Sequence, residues 1–123
     1  MGIRIIVADD HETLRDSLRD LFVRIDDIEV LAMAEDGYQA VELTRAMKPD
    51  LVVMDIGMPR LNGLEATRRI VGEFPDVKVI ALSIHAGKRM VAEMLEAGAS
   101  EYVLKDFAFE QLPGVVRAVA RKD

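Results

Sequence analysis

The chain has 123 residues, 50% of them hydrophobic and 31% charged, which suits a single globular domain with a conventional core. Its formal net charge of -6, with basic residues scattered among acidic ones, disfavours direct nucleic-acid binding, and the lack of cysteine excludes disulfides and thiolate chemistry. No apolar stretch approaches the roughly 20 residues of a membrane span, and no signal peptide is recognised, so we expect a cytoplasmic protein without membrane association.

Five short apolar runs, each followed by a polar or charged residue, predict the strands. They cover residues 3–8, 28–34, 51–54, 77–82 and 102–104. The runs are rich in Val and Ile and are continuous rather than alternating. This pattern is typical of strands that are buried on both faces of a parallel sheet.

Apolar residues at helical spacing predict a helix after each run. The first helix is indicated by the stripe Leu14, Leu18, Leu21, Phe22 and Ile25. The others are expected over about residues 38–47, 64–74, 88–98 and 109–121. Pro49 and Pro75 should end the second and third helices, and Gly98 should terminate the fourth. Pro113 is expected in the first turn of the last helix, where proline is tolerated.

The regular alternation of strand and helix predicts an α/β fold. Parallel βαβ units with right-handed crossovers would place helices on both faces of a five-stranded, doubly wound sheet. The sequence shows no Pro/Ser-rich linker and no low-complexity tract. We therefore expect one domain over residues 1–123.

Ligands of an open parallel sheet bind beyond the carboxyl ends of its strands. The residues at these ends are Asp9 and Asp10 after the first run, Glu35 after the second, Asp55 after the third, Ser83 after the fourth and Lys105 after the fifth. The sequence assigns no role to Glu35. The other strand ends would bring three carboxylates, a hydroxyl and an ammonium to one edge of the sheet.

Converging carboxylates repel one another, and a divalent cation with oxygen ligands removes the conflict. Asp9, Asp10 and Asp55 therefore predict a Mg²⁺ site. The alternative is that the acids only cap the first helix and a loop, but the acid and the lysine at other strand ends favour the metal site. His11 is expected to be a loop residue beside the acids; metal ligation by it is the less favoured alternative, because Mg²⁺ prefers oxygen.

Asp55 is also a candidate nucleophile, because a carboxylate can accept a phosphoryl group as an aspartyl phosphate. Such a transfer needs in-line positioning and charge neutralisation, which a metal ion and a lysine supply. Lys105 is placed to hold a phosphoryl oxygen, and the alternative is a surface lysine. Ser83 is placed to hydrogen-bond the same group, or simply ends a strand.

These motifs together resemble the receiver domain of bacterial two-component response regulators over essentially the whole chain. The matching positions are Asp9-Asp10, Asp55 with Met58-Pro59 and Asn62-Gly63 after it, Ser83, Tyr102 and Lys105. The resemblance implies a flavodoxin-like sheet with strand order 2-1-3-4-5. It also implies a face formed by the fourth helix, fifth strand and fifth helix that reads out the signal.

The resemblance assigns roles to individual residues as well. Asp55 would be the phosphoacceptor, and Mg²⁺ would be held by Asp9, Asp10, Asp55 and the carbonyl of Gly57. The phosphoryl group would be contacted at Ser83, Ile84 and Lys105. Ser83 and Tyr102 would form the switch, while Met90 and Met94 are more simply explained as ordinary packing residues.

Three segments are most similar to receivers of helix-turn-helix (LuxR/FixJ-type) transcription regulators. They are Asp-Ile-Gly-Met-Pro-Arg-Leu-Asn-Gly-Leu-Glu-Ala-Thr, Ala-Leu-Ser-Ile-His and Tyr-Val-Leu-Lys-Asp. The similarity implies a sensor histidine kinase as partner, a DNA-binding output domain outside this chain and a homodimer on phosphorylation. The domain would catalyse its own phosphorylation and dephosphorylation without turning over a metabolite.

Other interpretations fit the sequence less well. A free-standing receiver that acts by protein contact remains an alternative. A receiver fold that has lost phosphorylation should lack an acid or the lysine, and none is lost. A Mg²⁺-dependent phosphatase with an Asp nucleophile usually has a second Asp where Gly57 stands. A nucleotide-binding fold would need a Gly-rich loop after the first strand, and there is none.

Two departures from the family pattern affect the expected site. Asp106 follows Lys105 where many receivers have a proline, often in a cis bond, and we expect a trans bond here. Ile84 is bulky where many receivers have a small residue, so we expect it to narrow access to Asp55. Gly57 and His85 flank the site and are candidates to tune the attack of water.

Overall fold

The structure, a computed structural model, describes residues 2–84 and 87–122, so the predicted contribution of His85 lies outside the described residues. The strands are β1 (Ile3–Ala8), β2 (Ile28–Ala34), β3 (Leu51–Asp55), β4 (Lys78–Ser83) and β5 (Glu101–Leu104). The helices are α1 (Glu12–Val23), α2 (Gly37–Met47), α3 (Gly63–Glu73), α4 (Lys88–Ala97) and α5 (Ala108–Ala120), with a 3₁₀ turn (Lys105–Phe107) before the last. None of the helices in these residues has the length and apolar composition that crossing a bilayer requires.

The strands form one parallel sheet in the order β2-β1-β3-β4-β5, which confirms the predicted doubly wound, flavodoxin-like fold. β1 and β3 lie side by side where the strand order reverses. Ala8 pairs with Met54, so the residues that follow them, Asp9 and Asp55, are neighbours at the carboxyl edge. Crevices at such reversal points are where ligands bind in these sheets.

Successive residues of β1 are buried on opposite faces of the sheet. Ile5 and Val7 of β1 pack in a cluster with residues of α1 and α5. Ile6 and Ala8 pack on the opposite face in a cluster with residues of α2 and α3. Both faces of β1 are therefore covered, which explains why its apolar run is continuous. Met94 of α4 is buried in a third cluster, as its prediction as a packing residue requires.

Most helix ends agree with the expected signals, but the prediction for Pro113 is wrong. Lys48 ends α2 in the left-handed region with φ 49°, and Gly98 ends α4 with φ 113°. The last helix begins at Ala108, earlier than expected, so Pro113 lies in its second turn. Pro113 has no amide hydrogen, so it cannot donate to the carbonyl of Phe109 four residues earlier, and Phe109 is an exposed residue.

Candidate functional site

An ion-pair cluster lies at the carboxyl edge of the sheet. The ammonium nitrogen of Lys105 is 3.0 Å from Oδ2 of Asp9 and 3.0 Å from Oδ2 of Asp55. Both aspartates are buried, and Ser83 is buried at the end of the adjacent strand β4. Within residues 2–84 and 87–122, Oδ2 of Asp9 accepts no hydrogen bond, so its contact with Lys105 is an ion pair without hydrogen-bond geometry.

Backbone amides hold the other oxygens of the two buried carboxylates. Oδ1 of Asp9 accepts a hydrogen bond from the amide of His11 at 2.8 Å. Oδ1 of Asp55 accepts one from the amide of Gly57 at 2.9 Å. His11, rather than either preceding aspartate, is the N-cap residue of α1. The structure therefore does not support the alternative in which Asp9 and Asp10 only cap that helix.

Four side chains at this edge fit a divalent cation. Asp9, Asp10, His11 and Asp55 each offer one ligand atom, and these atoms lie within 4.8 Å of one another. Three of the four ligands are carboxylate oxygens, which Mg²⁺ prefers. Oδ2 of Asp9 is buried and lies 3.0 Å from the Lys105 ammonium, so one positive charge already stands beside this group of acids.

The electrostatics of the site follow from burial and charge crowding. Burial raises the pKa of Asp55 above its usual range, and the nearby charge of Asp9 raises it further. The amide of Gly57 and the ammonium of Lys105 oppose this shift without cancelling it. Burial also works against the charged form of Lys105, but its two aspartate partners outweigh that penalty and raise its pKa. Lys105 therefore stays protonated, and the carboxylates of Asp9 and Asp55 share its single positive charge.

A cavity of about 380 Å³ opens above Asp55. Its lining combines Ser83 and Lys105 with apolar side chains, and the apolar members are Ile56, Leu64, Ile84 and Met90. Ile84 lines this cavity and is 70% exposed. The described residues contain no cis peptide bond, which confirms the expected trans bond between Lys105 and Asp106.

The structure places Tyr102 apart from this cavity. Its partly buried side chain packs against the cluster of Ala81, Met94 and Ala99, between β4, β5 and α4. It is not among the residues that line the space above Asp55. The sequence-predicted residues are therefore divided between the ion-pair cluster and a neighbouring apolar cluster.

Residues 5–117 match the family model "Response regulator receiver domain". This chain is a response regulator receiver domain. The match covers more than nine-tenths of the sequence and confirms the family that the strand-end motifs predicted.

Relatives of the receiver include transcription regulators. It is 42% identical to the transcriptional regulatory protein DegU of Brevibacillus brevis, over 97% of this chain and 50% of that protein. It superimposes with a TM-score of 0.91 on a LuxR-family response regulator from Aurantimonas, at 34% identity over 98% of this chain and 86% of that one. The response regulator domain of Thermotoga maritima CheB matches with a TM-score of 0.93, at 32% identity over 100% and 99%. The chain spans about half the length of the curated relatives that it matches.

Sequence reasoning missed how Arg15 supports the receiver's acidic edge. One guanidinium nitrogen of Arg15 donates to the backbone carbonyl of Asp9 at 2.6 Å. Another lies 3.4 Å from the carboxylate of Glu35, the strand end to which the sequence assigned no role. Glu35 thus orients an arginine that fixes the backbone of Asp9. In the sequence, Arg15 stands six residues after Asp9, but this spacing does not predict that Arg15 contacts the Asp9 carbonyl and Glu35.

Proposed function

We propose that this receiver accepts a phosphoryl group on Asp55 from the phosphohistidine of a sensor histidine kinase, in the presence of Mg²⁺. The supporting observation is the buried Asp55 carboxylate, 3.0 Å from the Lys105 ammonium and within ligand distance of Asp9 and Asp10. A buried carboxylate that faces both a cation and further acids suits phosphoryl transfer, because the charges that the transfer creates are neutralised there.

The transfer is a displacement at phosphorus. A carboxylate oxygen of Asp55 attacks in line, and the new O–P bond forms as the N–P bond to the kinase imidazole breaks. The electron pair of that bond stays on the imidazole, and a ring that is protonated on its other nitrogen before the transfer leaves as neutral imidazole. Lys105 and Ser83 contact the phosphoryl oxygens, with Ile84 beside them in the lining of the cavity. Their support is their location around the cavity above Asp55.

The proposed metal ligands are the carboxylates of Asp9, Asp10 and Asp55 and the carbonyl of Gly57. Bound Mg²⁺ would neutralise the crowded carboxylates and the phosphoryl oxygens together. The fit is supported by the carboxylate oxygens of Asp9, Asp10 and Asp55, which lie within 4.8 Å of one another, and by the raised pKa of Asp55, which burial and then the charge of Asp9 cause. A cation lowers that pKa and keeps Asp55 ionised for attack.

Phosphorylation would switch the face formed by α4, β5 and α5. The phosphorylated Asp55 carries about one more negative charge than the free carboxylate. That charge attracts Ser83 and Lys105, and the rearrangement of β4 and β5 repacks Tyr102. In support, Tyr102 is only partly buried and packs against the cluster that joins these strands to α4.

The receiver is proposed to act within a longer cytoplasmic transcription regulator. A DNA-binding output domain and a homodimer formed on phosphorylation complete this proposal. The support is that DegU and other relatives are transcriptional regulatory proteins about twice as long as this chain. The receiver itself then binds the kinase, and the output domain contacts DNA.

Intact-protein mass spectrometry after incubation with acetyl phosphate and Mg²⁺ tests the phosphoacceptor. The wild-type chain should gain the mass of one phosphoryl group, and chelation of Mg²⁺ should prevent the gain. Asp55→Asn should abolish it, while Asp106→Asn, which changes an exposed aspartate next to Lys105, should retain it. An unmodified wild type, or a modified Asp55→Asn variant, would show that the proposed function is wrong.

A further inference from the structure

Asn62 is the only asparagine of the sequence, and a glycine follows it. Glycine has no Cβ, so the amide nitrogen of a glycine can approach the side-chain carbonyl carbon of a preceding asparagine and close a five-membered ring. That ring closure is the first step of asparagine deamidation. Asn62 is an exposed residue, so water reaches its side chain. The chain therefore carries one pair of residues with the chemistry of deamidation.

The fold holds the two reacting groups of this pair in other hydrogen bonds. Asn62 is the N-cap residue of α3, and its Oδ1 accepts a hydrogen bond from the amide of Glu65 at 3.0 Å. The amide of Gly63, which would attack in ring closure, donates to the carbonyl of Ile56 at 3.2 Å. Ring closure has to turn the side chain and free this amide, so both hydrogen bonds have to break first.

The pair lies beside the proposed phosphoacceptor. Asn62 lines the cavity above Asp55. A Cβ on Gly63 would stand 2.1 Å from the carbonyl oxygen of Asp55, so the backbone there has no room for an additional atom. Deamidation to aspartate adds a negative charge to the lining of the cavity. Deamidation to isoaspartate also inserts a methylene into the backbone immediately before this close contact.

We propose that Asn62 is a site of spontaneous modification, at which the receiver deamidates when the amino end of α3 opens and thereby loses its capacity to accept a phosphoryl group. The hydrogen bonds of the folded state set the rate, because the reaction proceeds only from the locally opened chain. The loss of phosphoryl acceptance rests on the proposed function, whereas the deamidation does not.

The modification needs no reactant other than water. The Gly63 amide gives its proton to hydroxide, and the electron pair of its nitrogen forms a bond to Cγ of Asn62. The carbon–nitrogen bond of the carboxamide then breaks, and its electron pair leaves on nitrogen, which takes a proton from water and departs as ammonia. Water finally adds to one of the two carbonyl carbons of the cyclic imide, which opens to aspartate or to isoaspartate.

Incubation of the whole chain at mildly alkaline pH, with and without denaturing urea, tests the control by folding. Intact-protein mass spectrometry measures the exchange of an amide for an acid, and chromatography of the peptide that contains residue 62 separates aspartate from isoaspartate. The reaction should be roughly tenfold or more slower in the folded chain, because it waits for local opening. Asn62→Ser keeps a capping oxygen without an amide and should not gain this mass in either condition. Equal rates with and without urea, or an unmodified residue 62 in urea, would overturn the inference.

Phosphorylation of the modified receiver tests the consequence. After incubation in urea and refolding, ion exchange separates the deamidated fraction by its additional negative charge. With acetyl phosphate and Mg²⁺, the part of this fraction that carries isoaspartate should accept a phosphoryl group roughly 100-fold more slowly, the loss expected for a reacting group displaced by about 1 Å. Asn62→Asp, which changes the charge without lengthening the backbone, should be slowed less. Asn62→Ser taken through the same treatment should react as fast afterwards as before.

The two failures are distinguishable. If the unmodified wild type gains no phosphoryl group, the proposed function is wrong and this consequence is wrong with it. If the unmodified wild type is phosphorylated and the isoaspartate form reacts equally fast, the further inference alone is overturned.

Discussion

The guanidinium of Arg60 forms an ion pair with the carboxylate of Asp36, with Nη1 2.9 Å from Oδ2. Arg60 lies in the loop that follows Asp55, and its backbone is in the left-handed region with φ 63°. Asp36 is buried at the start of α2, where its Oδ1 also accepts a hydrogen bond from the amide of Gln39. One carboxylate thus caps a helix and anchors the loop beside the site.

Two substitutions of Asp36 should separate these roles. Asp36→Ala removes the cap and the ion pair, so the free energy of unfolding should fall by about 1–2 kcal/mol. Asp36→Asn keeps an oxygen that can accept from the Gln39 amide and loses mainly the pair with the exposed Arg60, so the fall should be below about 1 kcal/mol. Urea unfolding measures both. Equal losses in the two variants would show that the cap contributes little.

Asp55→Asn should stabilise the metal-free protein at neutral pH. Burial, and then the charge of Asp9, raise the pKa of Asp55 above its unfolded value. The native state therefore binds this proton more tightly, and the free energy of unfolding falls as pH rises from the usual carboxyl pKa through the raised one. Asparagine has no ionisable carboxyl, so the free energy of unfolding of the variant does not fall over this pH range for that reason.

Urea unfolding with a chelator at several pH values measures the effect. The advantage of Asp55→Asn over the wild type should be largest at neutral pH and should shrink in acid, where Asp55 of the wild type is protonated. Asp106→Asn serves as the exposed control and should show a much smaller difference. If Asp55→Asn is less stable than the wild type at neutral pH, burial and the charge of Asp9 do not destabilise the ionised form of Asp55 as inferred here.

Two glycines of α3 should respond to alanine in opposite ways. A Cβ on Gly63 would stand 2.1 Å from the carbonyl oxygen of Asp55, so Gly63→Ala must displace the end of β3. A loss of about 3 kcal/mol in the free energy of unfolding, with weaker Mg²⁺ binding, is expected. A Cβ on Gly72 would meet no described atom within 4 Å, so Gly72→Ala should stabilise by up to about 1 kcal/mol.

Urea unfolding and Mg²⁺ titration of the two variants provide the comparison. Because both residues belong to the same helix, the difference between them isolates the contact with Asp55 from helix propensity. Tolerance of alanine at position 63, with unchanged Mg²⁺ affinity, would mean that the close approach is not needed for the site.

An ion pair far from the site should contribute to acid sensitivity. Arg117 of α5 donates two hydrogen bonds to the carboxylate of Asp27, at 2.8 Å and 2.9 Å. These bonds lower the pKa of Asp27 below its usual value. The stabilisation is therefore present above the usual carboxyl pKa and is lost as pH falls through the lowered one.

The free energy of unfolding of Asp27→Asn should lie below that of the wild type at neutral pH. The two should converge in strong acid, because both then lack the charge at position 27. Added salt should also reduce the difference, since the pair is exposed. Asp26→Asn is the neighbouring control. A difference that persists unchanged in acid would contradict the assignment to this pair.

The sequence by itself determined the strands, the sheet and the composition of its carboxyl edge. The continuous run of β1 predicts burial on both faces, and the structure buries Ile5 and Ile6 on opposite sides. Because parallel strands end at a common edge, the positions of Asp9, Asp55 and Lys105 after their runs sufficed to predict that they meet. Periodicity and strand direction are local properties, and local sequence records them well.

Only the tertiary structure decided which charged groups pair around that edge. Arg15 meets the carbonyl of Asp9, and Arg60 meets Asp36, 24 residues away along the chain. The sequence offers 16 basic and 22 acidic residues, so many pairings are compatible with the same pattern of strands and helices. Charge attraction is non-specific at long range, and the partner is selected when packing of the helices brings particular side chains within a few ångströms.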